Sequence, residues 1–243
     1  KKALKETSLP ENAIQVIPTR KNNYYFVHIT DAHLPNRLYY PNAGFETDST
    51  AVEDFRAVME DIHLIHPEFV LFTGDLVNEG ELESFANQYW YGWTQKLLSE
   101  FDIPVYVTSG NHDIGGWNQT PPPAGSARRN WWKYFGWNWL DSEDPNWLYH
   151  TQDYYFTYGN TIFIGLESYD NYDYWRLNIY GTTSFTDQQI AWLNSTLSLF
   201  PNYTKVLFHH YDFQDELNLS ALGIDLALWG HIHSNNGSIS NFP

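Results

Sequence analysis

Carboxylate, amide and imidazole side chains stand at the ends of short apolar runs in this chain, in numbers sufficient to hold metal ions. The densest stretch is Gly110, Asn111, His112, Asp113, just after the β-branched run from Ile103 to Val107. Open α/β sheets place their chemistry at such strand ends. Other stretches repeat the pattern: Asp31-Ala32-His33, Gly74-Asp75, His209-His210 and Gly230-His231-Ile232-His233. Alternate residues of an extended segment point the same way, so Asp31 with His33, and His231 with His233, each present two donors to one region.

Oxygen and imidazole donors without thiolate suit Mn²⁺, Fe²⁺/³⁺, Zn²⁺ or Co²⁺ rather than Ca²⁺. The set Asp31, His33, Asp75, Asn111, His209, His231 and His233 is too large for one tetrahedral ion and suits two, with one carboxylate shared. His28, His63, His66 and His150 lie inside a strand, on a helix and its end, and in a tryptophan-rich segment, where a lone histidine is usually a packed or solvated residue.

The elements that must position these donors follow from apolar spacing. Tyr24 to Ile29 reads as a first strand, followed by a helix over 48–66 with apolar residues at Val52, Phe55, Val58, Met59, Ile62 and Ile65, ended by Pro67. A strand at Phe69 to Phe72, a helix between Glu81 and Leu98 and the strand before Thr108 complete a strand-helix-strand-helix-strand order. That order argues for βαβ units and a largely parallel sheet, with its first three strand tips on one edge. Tyr154 to Tyr158 and Thr161 to Leu166 flank Gly159-Asn160, a two-residue hairpin signal. A helix from Thr186 to about Leu199 has Gln189 placed for a capping box. A strand at Lys205 to Phe208, a short helix over 214–222 and a last strand from Asp225 to Trp229 lead to the final histidine pair.

Residues 1–22 read as an N-terminal arm and 23–243 as one domain. Within it, residues 114–150 hold three consecutive prolines and a concentration of tryptophans. This segment reads as a self-packed insertion, the alternative being a lid whose indole faces shape substrate choice.

A formal net charge of −16 repels nucleic acid and anionic lipid, so a long polyanion is not an expected partner. No apolar run approaches the ~18 residues of a membrane span, and a charged-then-apolar leader is not recognised, so any signal peptide is expected to have been removed or never to have existed. Absence of cysteine excludes disulfides and thiolate metal sites. Sequons at Asn118, Asn194, Asn202, Asn218 and Asn236 are as frequent as chance gives in a chain this rich in Asn, Ser and Thr, and low lysine with abundant Trp and Tyr leans towards an extracytoplasmic or secreted setting.

Taken in order, the blocks Asp31-Ala32-His33, Gly74-Asp75-Leu76-Val77-Asn78, Gly110-Asn111-His112-Asp113, His209 and Gly230-His231-Ile232-His233 resemble the five-block signature of the calcineurin-like metallophosphoesterase superfamily. The resemblance spans roughly residues 24 to 233 and implies a four-layer α/β/β/α sandwich, with 114–150 as a Trp-rich insertion. It implies two transition-metal ions (Mn, Fe or Zn), one on Asp31, His33, Asp75 and His233, the other on Asp75, Asn111, His209 and His231, with Asp75 bridging and His210 a neighbour near substrate. Such a pair yields a hydroxide that attacks phosphorus in line with the leaving oxygen. His112 is then the acid that protonates the leaving group, and Asp113 either orients that imidazole or is a turn carboxylate.

Purple acid phosphatases carry a tyrosine ligand where this chain has Asn78, whereas His33 in the first block is shared with diesterase-like branches, including class III cyclic nucleotide phosphodiesterases and acid sphingomyelinase-like enzymes. The expected activity is hydrolysis of a small phosphodiester, the alternatives being a phosphomonoesterase or a catalytically silent scaffold of the same fold. The chain stops ten residues beyond His233, where relatives continue through further strands, so either it is a fragment or its second sheet closes differently.

Overall fold

The computed structural model describes residues 23–34, 48–77, 92, 94–100, 102–114, 131, 134–135, 153–167, 185, 187–211 and 217–233. A three-stranded parallel sheet is ordered β1 (Val27–Ile29), β2 (Val70–Thr73), β3 (Val105–Thr108). A four-stranded sheet is ordered β4 (Tyr154–Tyr158), β5 (Thr161–Gly165), β6 (Thr204–Phe208), β7 (Leu226–Leu228); β4 pairs antiparallel with β5, and the rest are parallel. Helix α1 (Asp48–Ile65) joins β1 to β2, the four-residue α2 (Asn111–Ile114) follows β3, and α3 (Asp187–Leu199) joins β5 to β6.

Three apolar clusters stack these elements into layers. Phe55, Met59 and Ile62, at helical spacing on α1, pack with Val70, Phe72 and Val107 on the outer face of the first sheet. The intervening residues Phe69, Leu71 and Tyr106 face the second sheet and meet Tyr154, Phe156, Phe163, Val206 and Phe208. On the far side, Ile162, Ile164 and Leu207 pack against Leu193 and Leu197 of α3. The result is the α/β/β/α sandwich expected. Between the sheets Phe69 lies within 6.4 Å, centroid to centroid, of the rings of Tyr24, Phe26, Tyr106, Phe156, Tyr158 and Phe163. Tyr154 adds a polar tie across the layers, its buried hydroxyl donating to Val107 O at 2.7 Å.

The Gly159-Asn160 turn forms as expected, joining Tyr158 to its partner Thr161. The first strand is shorter than Tyr24 to Ile29, because Tyr24 and Phe26 contribute rings to the inter-sheet core without joining the ladder. Residues 94–98 are helical; the rest of the helix expected from Glu81 lies largely outside the described residues. The short helix expected over 214–222 does not appear in its described part, where residues 219–223 form a turn closed by Ile224 N donating to Leu219 O at 3.0 Å. Gln189 turns inward, its amide donating to Asp153 Oδ1 and Glu167 O, both at 2.9 Å, and so ties α3 to the end of β5; Thr186 lies outside the described residues. The arm 1–22 and most of 114–150 also lie outside them. Trp131 of that segment is fully buried in the α1-side core, its ring 4.3 Å from that of Phe135.

Candidate metal centre

The parallel strands of both sheets end at one edge, and their terminal loops bring the polar blocks together. The turns there are tight enough to force unusual backbone. Of the six non-glycine residues with positive φ among the described residues, five are Asp31, His33, Asp75, His231 and His233, with φ between 42° and 73°. L-residues visit this region at a cost, and it concentrates at functional sites. Two glycines permit the close approach of loops. A Cβ on Gly110 lies 2.2 Å from Asp75 Oδ1, and one on Gly230 lies 2.3 Å from Asp31 Oδ2.

Two groups of donors converge. Asp31, His33, Asp75 and His233 place one ligand atom each within 4.8 Å of one another, and Asp75, His210 and His231 form a second such group. In the first, His33 Nε2 is 2.9 Å from His233 Nε2, with Asp31 Oδ1 3.3 Å from His233 Nε2 and Asp75 Oδ2 3.6 Å from His33 Nε2. In the second, His210 Nε2 is 3.1 Å from Asp75 Oδ2 and 3.1 Å from Asn111 Oδ1, while His231 Nδ1 is 3.2 Å from the same amide oxygen. Asp75 belongs to both.

Backbone N–H groups fix the two carboxylates. His231 N–H donates to Asp31, whose Oδ2 also accepts from the Thr30 hydroxyl at 2.6 Å, and His112 N–H donates to Asp75 Oδ1 at 2.9 Å. The His112 ring stands edge-on to His33 with centroids 4.6 Å apart, half-buried beside the first group.

His209 is not where the sequence reading put it. Its ring is buried and parallel to the Trp229 indole, with centroids 6.3 Å apart, and it belongs to neither convergent group; His210 takes that place. Strand alternation gives the reason. Val206 and Phe208 face the first sheet and Leu207 faces α3, so two residues past Phe208 the chain again points towards the first sheet. His210 Nδ1 accordingly lies 2.7 Å from Thr73 O at the end of β2. His28 is packed within its strand, its Nε2 2.8 Å from Thr73 Oγ1, as the sequence reading had it, whereas the role of Thr30 beside Asp31 was passed over.

The electrostatics fit cation binding. Burial alone pushes the Asp75 carboxyl up, but the charge and hydrogen bond of His210 outweigh it and hold Asp75 below the usual carboxylate range. Burial likewise lowers His210, yet the Asp75 charge and hydrogen bond raise it to about 9. Asp31 is held low and His33 is raised: burial is the largest single influence and opposes both shifts, and it is outweighed by the pairing of the two residues together with the charge of His210 at Asp31 and of Asp75 at His33. Burial and the His210 charge lower His231 to about 4, and burial lowers His209 to about 3. Two carboxylates and opposed imidazole nitrogens at such separations could hold cations among them, and an oxygen and nitrogen donor set without sulfur fits transition-metal ions.

A strand-tip cluster of carboxylates and imidazoles on an α/β/β/α sandwich defines a metal-centre protein of the phosphoesterase type. A family model for calcineurin-like phosphoesterases matches residues 24–235, and the chain belongs to that family. It is similar to the DNA double-strand break repair protein Mre11 of Methanococcus maripaludis, 33% identical over 104 residues, which are 43% of this chain and 27% of that protein. A probable cyclic nucleotide phosphodiesterase of Moraxella catarrhalis is 30% identical over 100 residues, 40% of this chain and 31% of that protein. Bacillus subtilis YvnB, itself uncharacterized, matches 90% of this chain at 25% identity, and this chain covers 16% of its length. The chain thus spans less than a third of each of these relatives. Among solved structures, a dimetal phosphatase from Danio rerio has the same fold, with a TM-score of 0.53 and 14% identity over 76% of this chain and 68% of that one.

Proposed function

We propose that this chain hydrolyses a small phosphodiester at a two-metal site, with one ion on Asp31, His33, Asp75 and His233 and the other on Asp75, Asn111, His210 and His231. The observation that carries the reading is the membership of Asp75 in both convergent donor groups. A cation pair there supplies Lewis acidity to the phosphoryl oxygens and acidifies a water to serve as nucleophile at neutral pH. The protein's part is to hold the donors and to move one proton. Thr30, the His231 N–H and the His112 N–H fix the two carboxylates, so each presents oxygen to the site without reorganising. The His112 imidazole, beside the first donor group, donates an N–H to the leaving oxygen as the ester bond breaks.

A diester preference is supported by His33 in the first block, by Asn78 where purple acid phosphatases carry tyrosine, and by the phosphodiesterase named among the relatives. The Mre11 likeness raises DNA as a substrate, but the net charge of −16 disfavours a long polyanion.

The test is to strip metal with a chelator, restore Mn²⁺ or Zn²⁺, and assay bis- and mono-nitrophenyl phosphate. Restored turnover, faster on the diester, is expected. No turnover on either supports the silent scaffold instead. His112→Ala is expected to keep its metal and lose about 10²-fold or more in kcat, most on poor leaving groups; an unchanged rate removes His112 from the chemistry.

A further inference from the structure

Asp113 is fully buried three residues past Gly110, and its carboxylate is engaged by backbone from two different strand ends. Oδ1 accepts from Leu76 N at 3.0 Å and from Val77 N at 3.1 Å, the two residues that follow Asp75. Oδ2 accepts from Gly110 N at 2.8 Å, in the loop after β3. The reverse link is made by Asp75, whose Oδ1 accepts from His112 N at 2.9 Å. Each loop thus lends a carboxylate to the backbone of the other, and the two are tied crosswise.

This tie has a specific consequence for Asp75. Gly74 and Asp75 both have positive φ, 86° and 52°, so the β2 loop turns sharply through the left-handed region, which glycine adopts freely and aspartate more readily than most residues. The bonds from Leu76 and Val77 to Asp113 are made by the residues immediately after that turn. With Asp75 Oδ1 committed to the His112 N–H, the oxygen facing both donor groups is Oδ2, 3.6 Å from His33 Nε2 and 3.1 Å from His210 Nε2. Partners that orient metal ligands change affinity when removed.

We infer that Asp113 is a positioning residue for the bridging carboxylate: it acts through the backbone of Leu76, Val77 and Gly110 to aim Asp75 Oδ2 at both ions. This rests on the two-metal reading; of the two expectations for Asp113, it sets aside the orienter of the His112 imidazole and builds on the turn carboxylate.

The experiment titrates metal-free wild type, Asp113→Asn and His112→Ala with Mn²⁺ by calorimetry, alongside thermal melts of the metal-free proteins. Asp113→Asn keeps one acceptor oxygen and turns an NH₂ towards an N–H. The expected result is a loss of about 10- to 100-fold in affinity for both ions in Asp113→Asn. Its turnover should recover as Mn²⁺ is raised, and His112→Ala, which keeps its backbone N–H, should bind as wild type. Unchanged affinity in Asp113→Asn with a fall in kcat alone overturns the inference in favour of an imidazole orienter. A lowered melting temperature with unchanged affinity overturns it in favour of a merely structural role. If wild type itself binds no metal, it is the two-metal reading that fails. Should Asp113→Asn not fold, amide exchange in wild type decides. The tie predicts that Leu76, Val77 and Gly110 are protected and gain protection together on Mn²⁺ addition; exchange of these amides within the dead time overturns it.

Discussion

Replacing Gly110 with alanine tests whether loop-to-loop approach sets the geometry of the centre. The added Cβ falls 2.2 Å from Asp75 Oδ1 and 2.6 Å from Asp75 N, where contacts under 3.0 Å essentially do not occur, so the carboxylate must recede by about 1 Å. Gly110 does not have positive φ, so alanine meets no backbone strain and the whole effect is collision. A misplacement of about 1 Å in a catalytic group costs on the order of 10²-fold in rate, and because Asp75 belongs to both donor groups, both ions should be weakened. Gly230→Ala makes the complementary case. Its Cβ falls 2.0 Å from Thr30 Oγ1 and 2.3 Å from Asp31 Oδ2, so the ion on Asp31, His33 and His233 should be lost first while the other stays. Gly223→Ala is the control, since its φ of 67° makes alanine strained but nothing lies within 4 Å of the new Cβ. It should lower the melting temperature and leave metal binding alone. Metal content by elemental analysis and turnover on bis-nitrophenyl phosphate read all three variants. Gly110→Ala with two ions per chain and wild-type turnover refutes the reasoning.

Other substitutions probe the scaffold. Tyr154→Phe removes the bond from its buried hydroxyl to Val107 O and should destabilise by about 1–2 kcal/mol in urea unfolding, with turnover preserved; no change in midpoint contradicts the inter-sheet tie. His28 is held neutral by burial with its pKa down at about 4, below its unfolded value, so its contribution to stability is present above pH 6.5 and is lost as pH falls towards 4. His28→Phe should therefore flatten the acid limb of the stability profile of the metal-free protein, and an unaltered slope counts against that assignment. His66, which follows α1 with a φ of 55°, should tolerate glycine with a gain of about 0.5–1 kcal/mol, read as a higher melting temperature; a lower one refutes it.

Most of the layer order was legible because strands and helices alternate in the chain and each strand end carries a polar block. Asp31, His33, Asp75, Asn111, His231 and His233 could be found from block order alone, and the structure brings all of them to one edge. The choice between His209 and His210 was not legible, since β6 is buried on both faces and its apolar run gives no alternation to say which histidine faces the first sheet. The bonds of Asp113 were equally hidden. Their partners Leu76 and Val77 are 37 and 36 positions away, and they are backbone groups that no residue type announces. Asp and His are among the types enriched at positive φ, but residue type alone does not say that Asp31, His33, Asp75, His231 and His233 adopt it, which the meeting of loops decides.

The central claim is that one carboxylate oxygen, Asp75 Oδ2, lies between two cations. Anomalous diffraction from crystals soaked in Mn²⁺ measures this directly. Two peaks flanking that oxygen are predicted, one among Asp31, His33 and His233 and the other among Asn111, His210 and His231. A single peak, or peaks that leave Asp75 uncoordinated, contradicts the account.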